Sequence, residues 1–357
     1  MRLPLAPRRG RAPSTPGEAP VVARAPVVAR HRVADPFEGP LPVPDLAPPL
    51  PNTGAPTLSI VVVVHRMRAQ AMRTVQSFCA GYQQGVESHQ YEIVVVENES
   101  DEMLAPLEVE AMAPNVRYHA RAESEPTPVN AVNAGVAASR GELVAMVVDG
   151  ARMASPGLVA HTLAASRLAK SVAVVVPGYH LGEQLQQWAA ADGYDQQAEA
   201  ELLTGISWPQ DGYRLFDIPV HSGTSKGGFF RPFAESNFLC LPRQIWDELG
   251  GMDHRFRSVG GGFANLDLYR RVLDHEEIVP VMLAGEGTFH QFHGGVTTGG
   301  TVADQRNAIV EASRAEYAAI RGEPFGPPRK RFLYLGAIPP QALPFLLHSV
   351  AHVVDPA

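Results

Sequence analysis

Leu58-Ser59-Ile60-Val61-Val62-Val63-Val64 is a run of apolar, mostly β-branched side chains interrupted only by one hydroxyl. Successive residues of a strand point to opposite faces, so a run that is apolar at nearly every position must be covered on both. Such a strand belongs in the middle of a parallel sheet, and the rest of the chain has to supply the covering helices. Tyr91-Glu92-Ile93-Val94-Val95-Val96 and Leu143-Val144-Ala145-Met146-Val147-Val148 repeat the pattern. Helical stretches near 69–83, 102–112 and 128–139, and a short strand at 115–119, lie between them. This β-α-β-α-β-α-β series predicts an α/β fold whose parallel sheet carries helices on both faces.

Further along, Ser155-Pro156 offers an N-cap with proline at the first helical position, opening a helix to about residue 170. A strand is expected at 172–176, and residues 180–225 are polar and less regular. Regularity returns as a strand at 238–241, helices at 242–249 and 264–274, and a strand at 278–283. A polar helix at 303–321 and a packed amphipathic helix within 343–354 complete the chain.

With 357 residues, 45% of them hydrophobic and 19% charged, the chain can build one large or two modest domains. A net charge of -7 gives no electrostatic footprint for nucleic acid. Cys79 and Cys240 each stand in apolar context, which predicts buried thiols and a reducing, cytoplasmic setting. No apolar run approaches the roughly 18–20 residues needed to span a bilayer, although peripheral contact with a membrane stays open. The N-terminus also lacks the apolar core of a secretory signal. Residues 1–56 hold 14 of the 32 prolines and almost no aromatics, so a disordered tail is expected there.

The segment from Asn133 to Arg152 joins a small-residue helix, through Arg140-Gly141, to a strand that releases Asp149 at its C-terminal end. Ligands of open α/β sheets collect beyond the carboxyl ends of the strands, so chemistry is expected at Asp149. Ala151 stands where a second acid would complete a metal-holding pair. The first strand exits into His65-Arg66-Met67-Arg68, without the Gly-x-Gly-x-x-Gly turn of a dinucleotide fold. Neither a P-loop nor a Gly-x-Ser-x-Gly elbow occurs.

The second strand exits into Glu97-Asn98-Glu99-Ser100, where an acid can meet a base or ribose hydroxyl, or simply cap the next helix. Gly260-Gly261-Gly262 precedes a helix carrying Asn265 and Asp267 in its first turn. Backbone amides can approach an anion closely there, while Asp267 can equally serve only the helix N-terminus. His290 and His293 bracket Gln291-Phe292 and are open to metal, phosphate or purely structural roles.

In order and spacing, residues 57 to about 295 resemble a family 2 glycosyltransferase of the GT-A fold. Val94-Val95-Val96-Glu97-Asn98-Glu99-Ser100 is similar to that family's Val-Val-Asp-Asn-x-Ser segment. Asn133-Ala134-Gly135 and Ser139-Arg140-Gly141 resemble the elements that precede its metal strand, and Asp149-Gly150-Ala151 falls at its Asp-x-Asp. Glu235-Ser236-Asn237-Phe238, followed by Gly250-Gly251-Met252-Asp253-His254-Arg255-Phe256, resembles its acceptor-side segment. Ala264-Asn265-Leu266-Asp267-Leu268 falls at its Glu-Asp-x-Asp-Leu, so Asn265 stands where inverting members keep the catalytic Asp.

The resemblance implies a GT-A-like domain over 57–300, with a nucleotide-binding half at 57–153, an acceptor half at 154–300, and a helical extension at 301–357. It implies sugar transfer from a nucleotide-sugar to a hydroxyl of a glycan or small-molecule acceptor, assisted by Mg or Mn. Glu97, Asn98, Asn133, Arg140 and Asp149 would bind the donor, with Asp149, His290 and His293 on the metal. An amide cannot accept a hydroxyl proton. The base would therefore be Asp267, Glu235 or His254 beside Asn265, unless a retaining route needs none. Ala151 and Asn265 also suit a catalytically inactive domain that binds a sugar nucleotide or a partner. A nucleotidyltransferase is disfavoured, because the first strand lacks a Gly-rich basic exit.

Overall fold

The computed structural model describes residues 32–33, 36–46, 54–123, 125–294 and 303–355. The chain runs β1 (Arg32–Val33), β2 (Leu58–Val64), α1 (Arg68–Phe78), β3 (Tyr91–Asn98), α2 (Pro106–Glu110), β4 (Val116–Arg121), α3 (Val129–Ala138) and β5 (Leu143–Val147). It continues through β6 (Arg152–Ala154), α4 (Leu158–Ala165), β7 (Val172–Val175), β8 (Gly178–Leu181), α5 (Gln186–Ala189), α6 (Gln196–Gly205) and β9 (Pro219–His221). Then come β10 (Leu239–Pro242), α7 (Arg243–Leu249), α8 (Ala264–Asp274), β11 (Val279–Leu283) and β12 (Thr288–His290). The last elements are α9 (Ala303–Arg321), β13 (Leu333–Leu335), α10 (Leu343–Ala351) and β14 (Val354–Asp355).

All seven residues of β2 are buried, as a doubly covered strand requires. Ile60, Val62 and Val64 pack with Ala71, Val75 and Phe78 of α1, while Val61 and Val63 pack with Val129, Val132 and Val136 of α3. The central sheet has eight strands in the order β13-β11-β7-β10-β5-β2-β3-β4. The fold is α/β, with a mostly parallel sheet between helices. Only β10 departs, pairing antiparallel with both β5 and β7.

From β2 the chain steps outward to β3 and β4, and α3 then returns it to the other side of β2. Connections diverge between β2 and β5, which opens a crevice at their carboxyl ends. A second sheet, β6-β12-β8-β9, begins three residues past Asp149. Its apolar face joins Met153, Tyr179, Phe216 and Phe289 in a separate core.

Several expectations need correction. Ser155 does not cap α4, whose N-cap is Gly157 and whose last residue is Ala165. The Ser155 hydroxyl donates instead to buried Glu286 and accepts from Gly287 N at 3.0 Å. Residues past 301 are not only a helical extension. β13 adds to β11 as an edge strand, Tyr317 of α9 enters the main core, and Phe345 of α10 packs on the smaller one. Of the expected disordered tail, residues 36–46 lie against the domain, with Glu38 N donating to Arg329 O and Asp45 N to Leu168 O. Its residues 1–31, 34–35 and 47–53 lie outside the described residues. Cys79 and Cys240 are buried free thiols, and burial pushes both up, Cys79 to about 11. No helix among the described residues is long and apolar enough to cross a membrane.

Candidate functional site

Asp149 follows β5 at the crevice between β2 and β5. Gly150 makes its exit tight: a Cβ there would lie 2.9 Å from Val64 Cγ2 and 3.0 Å from Val63 O, closer than side chains pack. The turn is pinned by Ala151 N, which donates to Asp149 Oδ1 at 3.0 Å. Arg152 then pairs with His290 of β12, and His290 with His180 of β8. Strand alternation puts Arg152, His290 and His180 on one face of this sheet, while Met153, Phe289 and Tyr179 fill the core beneath.

His290 Nε2 lies 2.9 Å and His293 Nε2 3.6 Å from Asp149 Oδ2, and the two imidazole nitrogens are 3.2 Å apart. The Gln186 amide nitrogen donates to the His290 carbonyl, so its oxygen accepts from His290 Nδ1–H. That arrangement turns the Nε2 lone pair toward Asp149, the tautomer a metal ligand needs. The next residues are held from two sides. Gln291 Nε2 donates to Gln70 O at 3.0 Å, Gln70 Nε2 to Phe292 O at 2.7 Å, and Phe292 N to Glu199 at 2.7 Å. Burial pushes the Glu199 carboxyl up to about 7, against the pull of that amide and of Arg73.

Burial disfavours the Asp149 anion, but His293 and His290 outweigh it and hold the carboxyl well below the usual range. Burial and the Arg152 charge press His290 down to about 4. For His293 burial acts in the same direction, yet Asp149 outweighs it and raises the imidazole above its ordinary value. The donor set fits a divalent ion: one carboxylate oxygen and two imidazole nitrogens, all within 4.8 Å of one another. Imidazole favours Mn over the harder Mg.

The remaining candidates divide. Asn98 ends β3 at the same carboxyl edge and keeps a buried Oδ1 without a partner. Glu97, fully buried, is spent internally: it accepts from Leu104 N at 3.0 Å and from the Tyr118 hydroxyl at 2.6 Å, so it cannot meet a base or ribose. Arg140 is at the opposite edge. Its Nε donates to Glu92 at 3.0 Å, near the amino ends of β2 and β3, because α3 runs back against the strands. Asn133 is structural: its side chain donates to Met252 O and accepts from Met252 N.

Asp267 is 1% exposed; its Oδ2 accepts from Arg271 Nε at 2.8 Å and Arg321 Nη2 at 2.7 Å and its Oδ1 from Arg321 Nε at 2.5 Å, so guanidinium groups hold both oxygens. His254 is exposed, with Nδ1 2.8 Å from Asn130 Oδ1 on α3. Asn265 donates to Glu235 at 2.7 Å, and Glu235 acts electrostatically on Arg152. Sequence reading missed Arg152, His180, Gln186 and Glu199. The alternation in Arg152-Met153-Ala154 and Gly178-Tyr179-His180 was the available signal for the first two, but not for which strands pair.

No family model matches the sequence, and no curated protein does. Among solved structures, S. aureus TarS 1-349 aligns over 73% of this chain and 65% of that one, at 10% identity and a TM-score of 0.44. Its complex with UDP-GlcNAc aligns over 73% and 66%, at 10% identity and a TM-score of 0.44. Against a longer TarS chain the match spans only 40% of that protein's length. Mannosyltransferase PcManGT from Pyrobaculum calidifontis, in complex with GDP-Man and Mn2+, aligns over 88% and 73%, at 14% identity and a TM-score of 0.41. At such scores the fold rests on the strand order itself.

Proposed function

We propose that the chain is a glycosyltransferase of GT-A architecture, moving a sugar from a nucleotide-sugar donor to a hydroxyl of a glycan or small-molecule acceptor. The observation that carries this reading is the convergence of His290 and His293 on Asp149, at the carboxyl-edge crevice between β2 and β5. Asp149, His290 and His293 would hold the divalent ion, Mn in preference to Mg. Its chemistry when bound is to neutralise charge building on a departing diphosphate. Asn98, whose buried Oδ1 has no partner at the same strand edge, would contact the donor. Glu235 is the group suited to take the acceptor hydroxyl's proton, and Asn265 orients it by donating to one carboxylate oxygen.

The test is release of nucleoside diphosphate by the purified chain from UDP-, GDP- and dTDP-sugars with Mn2+, with and without a hydroxyl acceptor. Turnover with one donor is expected, slower in Mg2+ and abolished by chelation. Donor binding without turnover would instead identify a sugar-nucleotide-binding module. Absence of both would overturn the reading.

A further inference from the structure

Arg152 is nine-tenths buried, yet its Nε and Nη1 have no hydrogen-bond partner. Its nearest acid is Asp149, with Nε 3.6 Å from Oδ2. An arginine serving only as the counterion of a carboxylate closes to about 2.7–2.9 Å, often with two parallel bonds. Here the Asp149 oxygens are taken by Ala151 N and by the histidine side. The acceptor oxygens of Gln186 and Gln291 face His290 Nδ1 and Arg73 Nη1 instead, and Nε and Nη1 of Arg152 stay without a hydrogen bond. Buried donors in native proteins are almost always paired, and an exception inside a crevice marks the place of a ligand acceptor.

Charge identifies that acceptor. Imidazoles that ligate a metal are neutral. With a divalent ion in place, the cluster would hold two charges from the ion, one from Arg152 and one negative charge from Asp149. A site with two carboxylates neutralises its ion alone. This one, with Ala151 at the second acid position and Arg152 beside it, does not. The structure assigns to Arg152 the binding of a diphosphate, and through it a mutual dependence of metal and diphosphate binding. Without the anion, guanidinium and ion repel across Asp149. With it, the anion would offset both charges. That the natural anion is a nucleoside diphosphate rests on the glycosyltransferase reading; the coupling does not.

Calorimetry and the Mn2+ electron paramagnetic resonance signal test this on the full chain, with MnCl2, pyrophosphate, UDP and GDP as probes. In the unsubstituted protein, Mn2+ should bind at least about 10-fold tighter with pyrophosphate present, and pyrophosphate tighter by the same factor with Mn2+. Arg152→Gln should bind Mn2+ alone several-fold tighter, since a repelling charge is gone. Its affinity for pyrophosphate with Mn2+ should fall by about 10- to 100-fold, the loss of a charge-assisted contact. Arg152→Lys, which keeps the charge, should lie between. Loss of Mn2+ and anion binding together in folded Arg152→Gln and Arg152→Lys would mean a structural role and overturn the assignment; so would unchanged pyrophosphate binding. Coupled Mn2+ and pyrophosphate binding with no affinity for UDP or GDP would overturn the sugar-transfer reading while leaving Arg152 in place.

Discussion

Two carboxylates separate at the level of single residues. Asp267 is buried under Arg271 and Arg321, and removing its charge strands two guanidinium groups. Asp267→Asn should cost about 3–5 kcal/mol in urea unfolding, the usual penalty for breaking a buried ion pair from one side. Glu235 is only half-buried, with Asn265 as its side-chain partner. Glu235→Gln should leave the unfolding midpoint nearly unchanged and lower kcat by about 10²–10⁴, the range for a lost general base. The reverse pattern would exchange the two assignments. Asp149→Asn should abolish the bound Mn2+ signal, because the other two ligands are neutral. Asp149 was legible from sequence as an acid at a strand end. Asp267 and Glu97 were misjudged for a common reason: an acid near the right edge looks available until its hydrogen-bond partners are known.

At the scale of elements, α3 explains both a success and an error. Its small residues let it lie close on the sheet, and a Cβ at Gly135 would come 2.4 Å from Val61 Cγ1 and 2.9 Å from Val96 Cγ2. Gly135→Ala should therefore destabilise, by about 1–3 kcal/mol, the ordinary cost of overpacking, although alanine favours helix. Equilibrium unfolding in urea checks the sign. Because α3 begins at the carboxyl edge and ends at the amino edge, it delivers Arg140 to Glu92 and then lets β5 carry Asp149 back to the crevice. The β-α-β series already implied that reversal of direction, but not that Arg140 meets Glu92 at its end. In the same way, β6, β12 and β8 are short strands whose residues come from three distant segments. Their pairing alone places Arg152 beside His290 and His180.

Across the whole molecule, distant segments are joined through buried polar groups. Glu286 accepts from Ser155, from His161 Nδ1 at 2.9 Å and from the Tyr213 hydroxyl at 2.9 Å, connecting α4 with the turn before β12. The hydrogen bond to Glu286 raises His161 above its ordinary value, with burial opposing. A raised folded value means that the stabilisation is complete below the unfolded value of about 6.5 and disappears as pH climbs through the raised one. The difference in Tm between the protein and His161→Gln should be larger at acidic pH than at alkaline pH. A pH-independent difference would show that the imaging of this contact as an ion pair is wrong. Segments far apart in sequence also pair directly: β1 with β14, and Glu38 with the Arg329–Lys330 stretch before β13.

The apolar runs by themselves determined the covered strands, their helices and the acid at the end of β5, because burial on both faces leaves a period and a composition that any reader of the chain can count. Only the tertiary structure decided which polar groups were spent and which were left free. Hydrogen-bond satisfaction is a property of neighbours far apart in sequence: Glu97 is consumed by Tyr118, Asp267 by Arg321, and Nε and Nη1 of Arg152 are left without a hydrogen bond beside Asp149.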